Sequence, residues 1–219
     1  MSLVLFFLPG VWKTMAATCQ NGLPPMVTIR TEEVEVEERF DTTVADLRRA
    51  ATAMAAKTHE PLLAAYSSDL IYAANISEDA RQEAGGIFCA TASSVEVVVS
   101  LKNRVIHLAR ELQQAPCVAK AQREHWREHA RVDAQAVEEF PLVPQLRQAL
   151  AELPPAQAHS VTTAKTQVTV AVHSELEKLM NKLDSYRATV KQDVDTPDAI
   201  EHLRTEMDAC FRSNSAVRP

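Results

Sequence analysis

Two histidines and a glutamate in the second half of the chain have a spacing that could support metal chemistry. The segment HWREH runs from His125 to His129, with Glu128 inside it. On an α-helix, residues four apart lie on one face, so both imidazoles could bind the same Zn²⁺. The glutamate could then act as a general base towards a metal-bound water. A third ligand would come from elsewhere in the chain, and Glu201 and Glu206 are candidates.

These five residues resemble the H-x-x-E-H motif of the inverzincin metallopeptidases. The resemblance implies a zinc-dependent hydrolase with His125 and His129 as ligands and Glu128 as base. It covers only this segment, which has charged neighbours such as Arg123 and Glu124. Because such charges are typical of a solvated helix face, we predict no metal, no cofactor and no catalytic site, and we retain the hydrolase as the alternative.

The same region carries regularly spaced cations. A basic ridge recurs at steps of three and four residues and consists of Lys120, Arg123, Arg127 and Arg131. Seven basic and three acidic residues leave segment 102–131 at +4, whereas six acidic and one basic residue leave segment 31–41 at −5. The ridge could bind an anionic partner, but we favour the acidic segment 32–38 folding against it. The net charge of −6 on the whole chain argues against a nucleic-acid partner.

Composition points to helices. Only 4 of the 219 residues are glycine, which argues against sandwiches, barrels and nucleotide-binding α/β folds, whose turns and phosphate loops need glycine. The cysteines are Cys19, Cys89, Cys117 and Cys210. No two of them have C-x-x-C spacing, so we expect free thiols in a reducing compartment.

Two long stretches have apolar residues at alternating steps of three and four. They run from Ala84 to Ala115 and from Val161 to Val190, and each predicts a helix with a heptad seam. The β-branched start of the second stretch, residues 161–171, leaves a strand open as the alternative. The pattern therefore predicts an all-α fold: an elongated helical bundle with a long antiparallel coiled-coil-like helix pair and a short extended N-terminal arm.

Shorter helices are marked by caps and prolines. Thr43 and Asp46 have capping-box spacing, and apolar periodicity predicts a further helix over 62–71. Prolines 116 and 141 bound a charged helix, and Thr196 precedes Pro197 as the N-cap and first turn of the last helix.

The predicted organisation has three parts. Residues 1–41 form a poorly ordered or extended acidic arm, residues 42–212 form the helical bundle, and residues 213–219 form a disordered tail. The apolar run from Leu3 to Leu8 is too short to cross a bilayer and has no preceding cation, so we expect no targeting signal. Either Met1 or Met15 could be the initiator.

With no assembled chemistry, these features predict a non-enzymatic helical interaction protein. It would be a subunit of a cytoplasmic assembly, with the cytoskeleton as one setting, and would form a homo- or hetero-oligomer through helix faces. We expect no membrane span. The predicted partner interface consists of Val98, Leu101, Val105, Leu108, Leu112, Leu176, Leu179, Leu183 and Tyr186.

Overall fold

The computed structural model describes residues 19, 22–53 and 62–215. In chain order, its strands and α-helices are β1 (Met26–Glu33), β2 (Glu37–Thr42), α1 (Val44–Ala53), β3 (Ala64–Gln82), β4 (Phe88–Ala109), α2 (Pro116–Glu139), α3 (Leu142–Ala151), β5 (Ala156–Ala158), α4 (Val161–Gln192) and α5 (Pro197–Ser215). Short 3₁₀ turns follow β3 and β4. The fold is therefore mixed α/β, and the all-α prediction is wrong.

Strand β4 is the centre of the sheet. It is 22 residues long, and β3 pairs antiparallel along one side of it. Along its other side lie β5, β1 and β2, end to end; β5 is antiparallel to β4, whereas β1 and β2 are parallel to it. The sheet is thus three strands wide, with β3 as one edge.

The turn between β3 and β4 explains two of the few glycines. Gly85 and Gly86 have φ angles of 78° and 75°, a left-handed conformation that side chains with a Cβ adopt only at a cost. These glycines join two long antiparallel strands, which is incompatible with a helix through the same residues.

The elongated bundle with a coiled-coil pair is wrong because one of its two helices is β4. Along β4 the side chains of Val95, Val97 and Val99 are buried, whereas Glu96 between them is exposed. This two-residue period and the β-branched composition are typical of a strand, and they outweigh the heptad spacing. Likewise, the predicted helix over 62–71 falls mostly in β3.

The second predicted long helix is confirmed as α4. Its β-branched first turns are helical from Val161, so the strand alternative for 161–171 is wrong. The Ser160 hydroxyl accepts a hydrogen bond from the Thr163 amide at 3.4 Å and caps the helix. The helices predicted between prolines 116 and 141 and after Thr196 are also present.

The helices cover one face of the sheet and form the core there. Side chains of β1 and β4 pack against α2, α3 and α4 in one apolar cluster, and a second cluster joins the end of β4 to α1, α2 and α5. Seven of the nine predicted interface residues are buried inside this core; Val98 and Tyr186 are half-buried. Side chains that are already buried in their own chain cannot offer that area to a partner.

The acidic arm is built into the sheet from Met26 onwards. The arm forms two short strands, because β1 ends at Glu33 and β2 begins at Glu37. At the other end, α5 extends to Ser215. Residues 1–18, which include both candidate start methionines and the Leu3–Leu8 run, and residues 216–219 of the predicted tail lie outside the described residues.

All four cysteines form disulfides, so the expectation of free thiols is wrong. Cys19 pairs with Cys89, and Cys117 pairs with Cys210, with Cα separations of 5.7 and 5.6 Å. The second disulfide joins the start of α2 to α5 and holds these helices together. None of the helices in the described part of the chain is both long and apolar enough to cross a membrane.

Candidate metal centre

Helix α2 and the connection between α4 and α5 bring three potential metal ligands to one point. His125 and His129 lie one turn apart on α2, and Asp195 lies in the connection between α4 and α5. The Asp195 Oδ1 atom is 3.2 Å from His125 Nε2 and 3.0 Å from His129 Nε2. The two Nε2 atoms are 3.3 Å apart. Three ligand atoms therefore form a small triangle.

The size of this triangle matches a zinc site. With Zn–N and Zn–O bonds of about 2.0–2.1 Å and tetrahedral angles, two ligand atoms are separated by about 3.3 Å. The three observed separations lie between 3.0 and 3.3 Å. The triangle thus has the dimensions of one face of a zinc coordination tetrahedron.

The centre has a buried side and an open side. His129 is only 4% exposed, whereas the Asp195 side chain is 45% exposed. The indole of Trp126 stacks on the His129 ring with centroids 4.6 Å apart, and it meets the His125 ring edge-on. The Trp126 Nε1 atom donates to the buried Gln122 at 3.3 Å. These contacts fix the orientation of both imidazoles, and access is from the side of Asp195.

Asp195 is positioned by helix termini on both sides. Its amide donates to the Gln192 carbonyl at 3.1 Å, which extends the end of α4 by a turn. Next to it, the Thr196 hydroxyl caps α5 by accepting from the Ala199 amide at 3.2 Å. The Cys117–Cys210 disulfide anchors the far end of α5 to α2, so the connection is held against the two histidines.

The electrostatics of the centre favour an ionised carboxylate. Burial raises the pKa of Asp195. Hydrogen bonds from His125 and His129, together with the charges of these side chains, lower the pKa by more than burial raises it. The net result is a pKa well below the ordinary value for aspartate. Asp195 is therefore a carboxylate at neutral pH, the form that binds a cation.

The catalytic base and the third-ligand candidates of the zinc-hydrolase alternative do not join the centre. The Glu128 carboxylate accepts from Arg131 through two bonds of 2.6 and 2.8 Å, and the bond from Arg131 lowers its pKa. Glu201 pairs with Arg204, and Glu206 pairs with His202. The sequence identified the two histidines, but it missed Asp195.

No local signal marked Asp195 as a ligand, because it follows His129 by 66 residues. The one hint was its position just before the predicted N-cap Thr196, where a helix connection could approach another helix. Only the packing of α5 on α2 brings it into contact.

The basic ridge is paired with acidic side chains. Glu38 of β2 accepts from Arg123 and Arg127 at 2.6 Å each, so the acidic segment does fold against the ridge. Arg131 pairs with Glu128, and Lys120 lies 3.7 Å from Glu124. An anionic partner would have to compete with these intramolecular pairs.

A second polar cluster, which the sequence did not suggest, lies between the sheet and the helices. Asp133 of α2 is fully buried and forms an ion pair with the equally buried Arg187 of α4 at 3.0 Å. Ser68 and Tyr66 of β3 donate to the same carboxylate at 2.7 and 3.1 Å. Burial raises the Asp133 pKa, but the bonds from Arg187 and Ser68 outweigh it and keep the pKa below the ordinary value.

Comparisons with known proteins give no match: no family model, no curated protein and no solved structure resembles the chain at a significant level.

Proposed function

We propose that the protein binds a divalent transition-metal ion, with Zn²⁺ as the first candidate, through His125, His129 and Asp195. The observation that carries this proposal is the triangle of ligand atoms, whose sides of 3.0 to 3.3 Å fit a tetrahedral zinc ion. Two imidazoles and one carboxylate also form a ligand set that suits zinc better than magnesium or calcium, which prefer oxygen ligands.

The bound ion would join α2 to the connection between α4 and α5. Three protein ligands leave a fourth position for water or a ligand atom of a partner, on the exposed side of Asp195. Glu128 accepts two hydrogen bonds from Arg131, and its carboxylate is not among the three clustered ligand atoms. Among the described residues of this cluster, none is therefore placed as a general base. We therefore propose metal binding without turnover rather than the zinc hydrolase.

The two disulfides support an oxidising compartment, in which such bonds persist. We therefore propose this location in place of the cytoplasm and its cytoskeleton. A role as a subunit of a larger assembly stays a prediction. We no longer assign it to coiled-coil faces, because one of the two seams is a β-strand and most of the predicted interface is buried.

Zinc titration of chelator-stripped protein tests the proposal. The chain contains Trp12 and Trp126, so a Trp12→Phe background isolates the fluorescence of the indole that stacks on His129. We expect one zinc ion per chain and a change in this fluorescence that a chelator reverses. Asp195→Ala and His125→Ala should each weaken binding about 100-fold, equivalent to about 2.8 kcal/mol.

Matched controls lie close to the centre. Asp193→Ala removes a carboxylate from the same connection, and His202→Ala removes an exposed histidine from α5; neither residue belongs to the cluster. Both variants should bind zinc like the unmodified protein. Absence of stoichiometric binding, or equal losses in the controls and in the ligand variants, would overturn the proposal.

A further inference from the structure

The edge strand β3 has a long side without a strand partner. It is 19 residues long and pairs with β4, and within the part of the chain that the structure describes no strand pairs with its other side. Backbone amides and carbonyls along such a side are a template for another strand. Most proteins protect an edge of this length with charges, prolines or bulges.

The central part of this edge lacks such protection. Register irregularities occur between Ser67 and Asp69 and between Ser77 and Glu78, and they enclose a regular segment, 69–77. Residues 70–77 (LIYAANIS) contain no charge, no proline and no glycine. Ile71 is 48% exposed, so part of its apolar side chain is free for contact with an added strand. A regular, uncharged and partly apolar edge is suited to strand pairing.

We propose that a second copy of the chain pairs with this edge, antiparallel and centred on Ala73, so that two three-stranded sheets become one continuous sheet. A two-fold axis at Ala73 pairs all nine residues of segment 69–77 and leaves the irregular positions outside. Each copy uses the same β3 edge in this two-fold contact. Pairing therefore occupies the β3 edges of both copies, and the assembly through this edge stops at a dimer.

The side chains of the segment match in this register. On the helix-covered face, Leu70 would lie opposite Ile76 of the second copy, and Tyr72 opposite Ala74. Leu70, Tyr72, Ala74 and Ile76 already pack on the core at their inner ends, and the added strand would cover their remaining exposed area. On the other face, Asp69 would lie opposite Ser77, a pairing that allows a hydrogen bond.

Charge distinguishes this register from its neighbour. Centring the axis on Ala74 instead would place Asp69 directly opposite Asp79 of the second copy, twice in each dimer. Like charges directly opposite each other destabilise an antiparallel pair. The same centring would also bring the irregularity at Ser77 and Glu78 into the paired segment.

The oligomeric state and its response to one charge test the proposal. We expect sedimentation equilibrium to show a dimer of the intact, disulfide-bonded chain at micromolar concentration. Ala73→Glu places two carboxylates opposite each other at the axis, on an exposed face where the monomer can accommodate them. Ala73→Glu should raise the dimer dissociation constant at least tenfold. Thr28→Glu lies on the same face of the sheet but in β1, on the opposite side of β4 from the β3 edge, and should leave the constant unchanged.

Cross-linking tests the register itself. Ala73→Cys brings two thiols together across the axis, so mild oxidation should give a covalent dimer. Ser77→Cys, on the same face of the same strand, keeps its two thiols about 26 Å apart at about 3.3 Å per residue and should not cross-link. A monomeric wild-type protein, including one whose edge instead captures an extended peptide, would overturn the proposal. So would a dimer that resists Ala73→Glu, or one that cross-links through position 77.

Discussion

The two polar clusters on α2 lie one helical turn apart and differ in how completely their members are satisfied. The Asp133 carboxylate receives hydrogen bonds from Arg187, Ser68 and Tyr66 and is fully buried. The Asp195 carboxylate is 45% exposed and directs one oxygen at two imidazole nitrogens, which also face each other. The first arrangement is satisfied and enclosed within the chain, whereas in the second three potential ligand atoms converge and Asp195 faces solvent.

This difference distinguishes a cluster that stabilises the fold from a cluster that is suited to binding a ligand. A buried ion pair with all of its hydrogen-bond partners fixes the positions of β3, α2 and α4 relative to one another. Three converging nitrogen and oxygen atoms with access from solvent are the ligand types of a zinc site, on which the metal-binding proposal rests. We therefore expect the Asp133 cluster to stabilise the fold and propose that the Asp195 cluster binds a metal ion. Perturbing one cluster and measuring both properties tests each role.

The largest effect is expected at the buried ion pair. Arg187→Leu leaves the buried Asp133 without its main partner, which typically costs about 3–5 kcal/mol of unfolding free energy. Urea denaturation should show this loss, and zinc affinity measured on the remaining folded protein should be unchanged. Arg204→Ala, in an exposed pair with Glu201, should cost less than about 1 kcal/mol. A small effect of Arg187→Leu would contradict the structural role of the cluster.

Zinc should add stability only through the second cluster. At a free zinc concentration 100 times its dissociation constant, a site present only in the folded state contributes about 2.7 kcal/mol. Thermal unfolding should therefore shift upwards with zinc in the unmodified protein and in Asp193→Ala, but not in Asp195→Ala. A zinc-induced shift that survives Asp195→Ala would show that the ion binds elsewhere.

Acid should reduce the unfolding free energy that the ionised Asp133 contributes. Because the Asp133 pKa in the folded protein is lowered from 3.8, its ionised form contributes stability above that pH, and this contribution is lost as pH falls towards the folded-state pKa. The difference in unfolding free energy between the unmodified protein and Asp133→Asn should be constant from pH 7 to about 5 and should shrink below about pH 4. A difference that grows in acid would contradict the assignment.

The smallest loss of unfolding free energy is expected at the surface of α2, where Glu38 of β2 pairs with two arginines. Glu38→Gln removes the carboxylate that Arg123 and Arg127 share, and Arg127 is well exposed. The expected loss is about 1 kcal/mol or less, decreasing as salt is added. Denaturation at low and high ionic strength measures it, and an effect as large as that of Arg187→Leu would remove the distinction between the buried cluster and the surface.

The sequence predicted what depends on neighbouring residues. The Thr43 and Asp46 capping box is present, with the Thr43 hydroxyl donating to Asp46 at 2.6 Å. The spacing of His125 and His129 predicted that both lie on one face of a helix, and they do so on α2. The helix at 161–190 was also predicted correctly, because its apolar spacing extends over eight turns and outweighs the β-branched residues at its start.

The sequence failed where distant segments meet. Strand β4 satisfies heptad spacing as well as a two-residue period, and its pairing with β1, β2, β3 and β5 adds to the β-branched preference for the extended conformation. Four cysteines allow three pairings, and the observed partners are 70 and 93 residues apart. Asp195 and Arg187 became partners of α2 residues only through the packing of α4 and α5, which no local pattern encodes.

X-ray absorption at the zinc edge of the zinc-loaded protein tests the metal centre most directly. We expect a four-coordinate ion with two imidazole nitrogens and a carboxylate oxygen at about 2.0–2.1 Å, and loss of the carboxylate contribution in Asp195→Ala. A six-coordinate shell of oxygen atoms, or a spectrum with fewer than two imidazoles, would show that His125, His129 and Asp195 do not form the proposed zinc site.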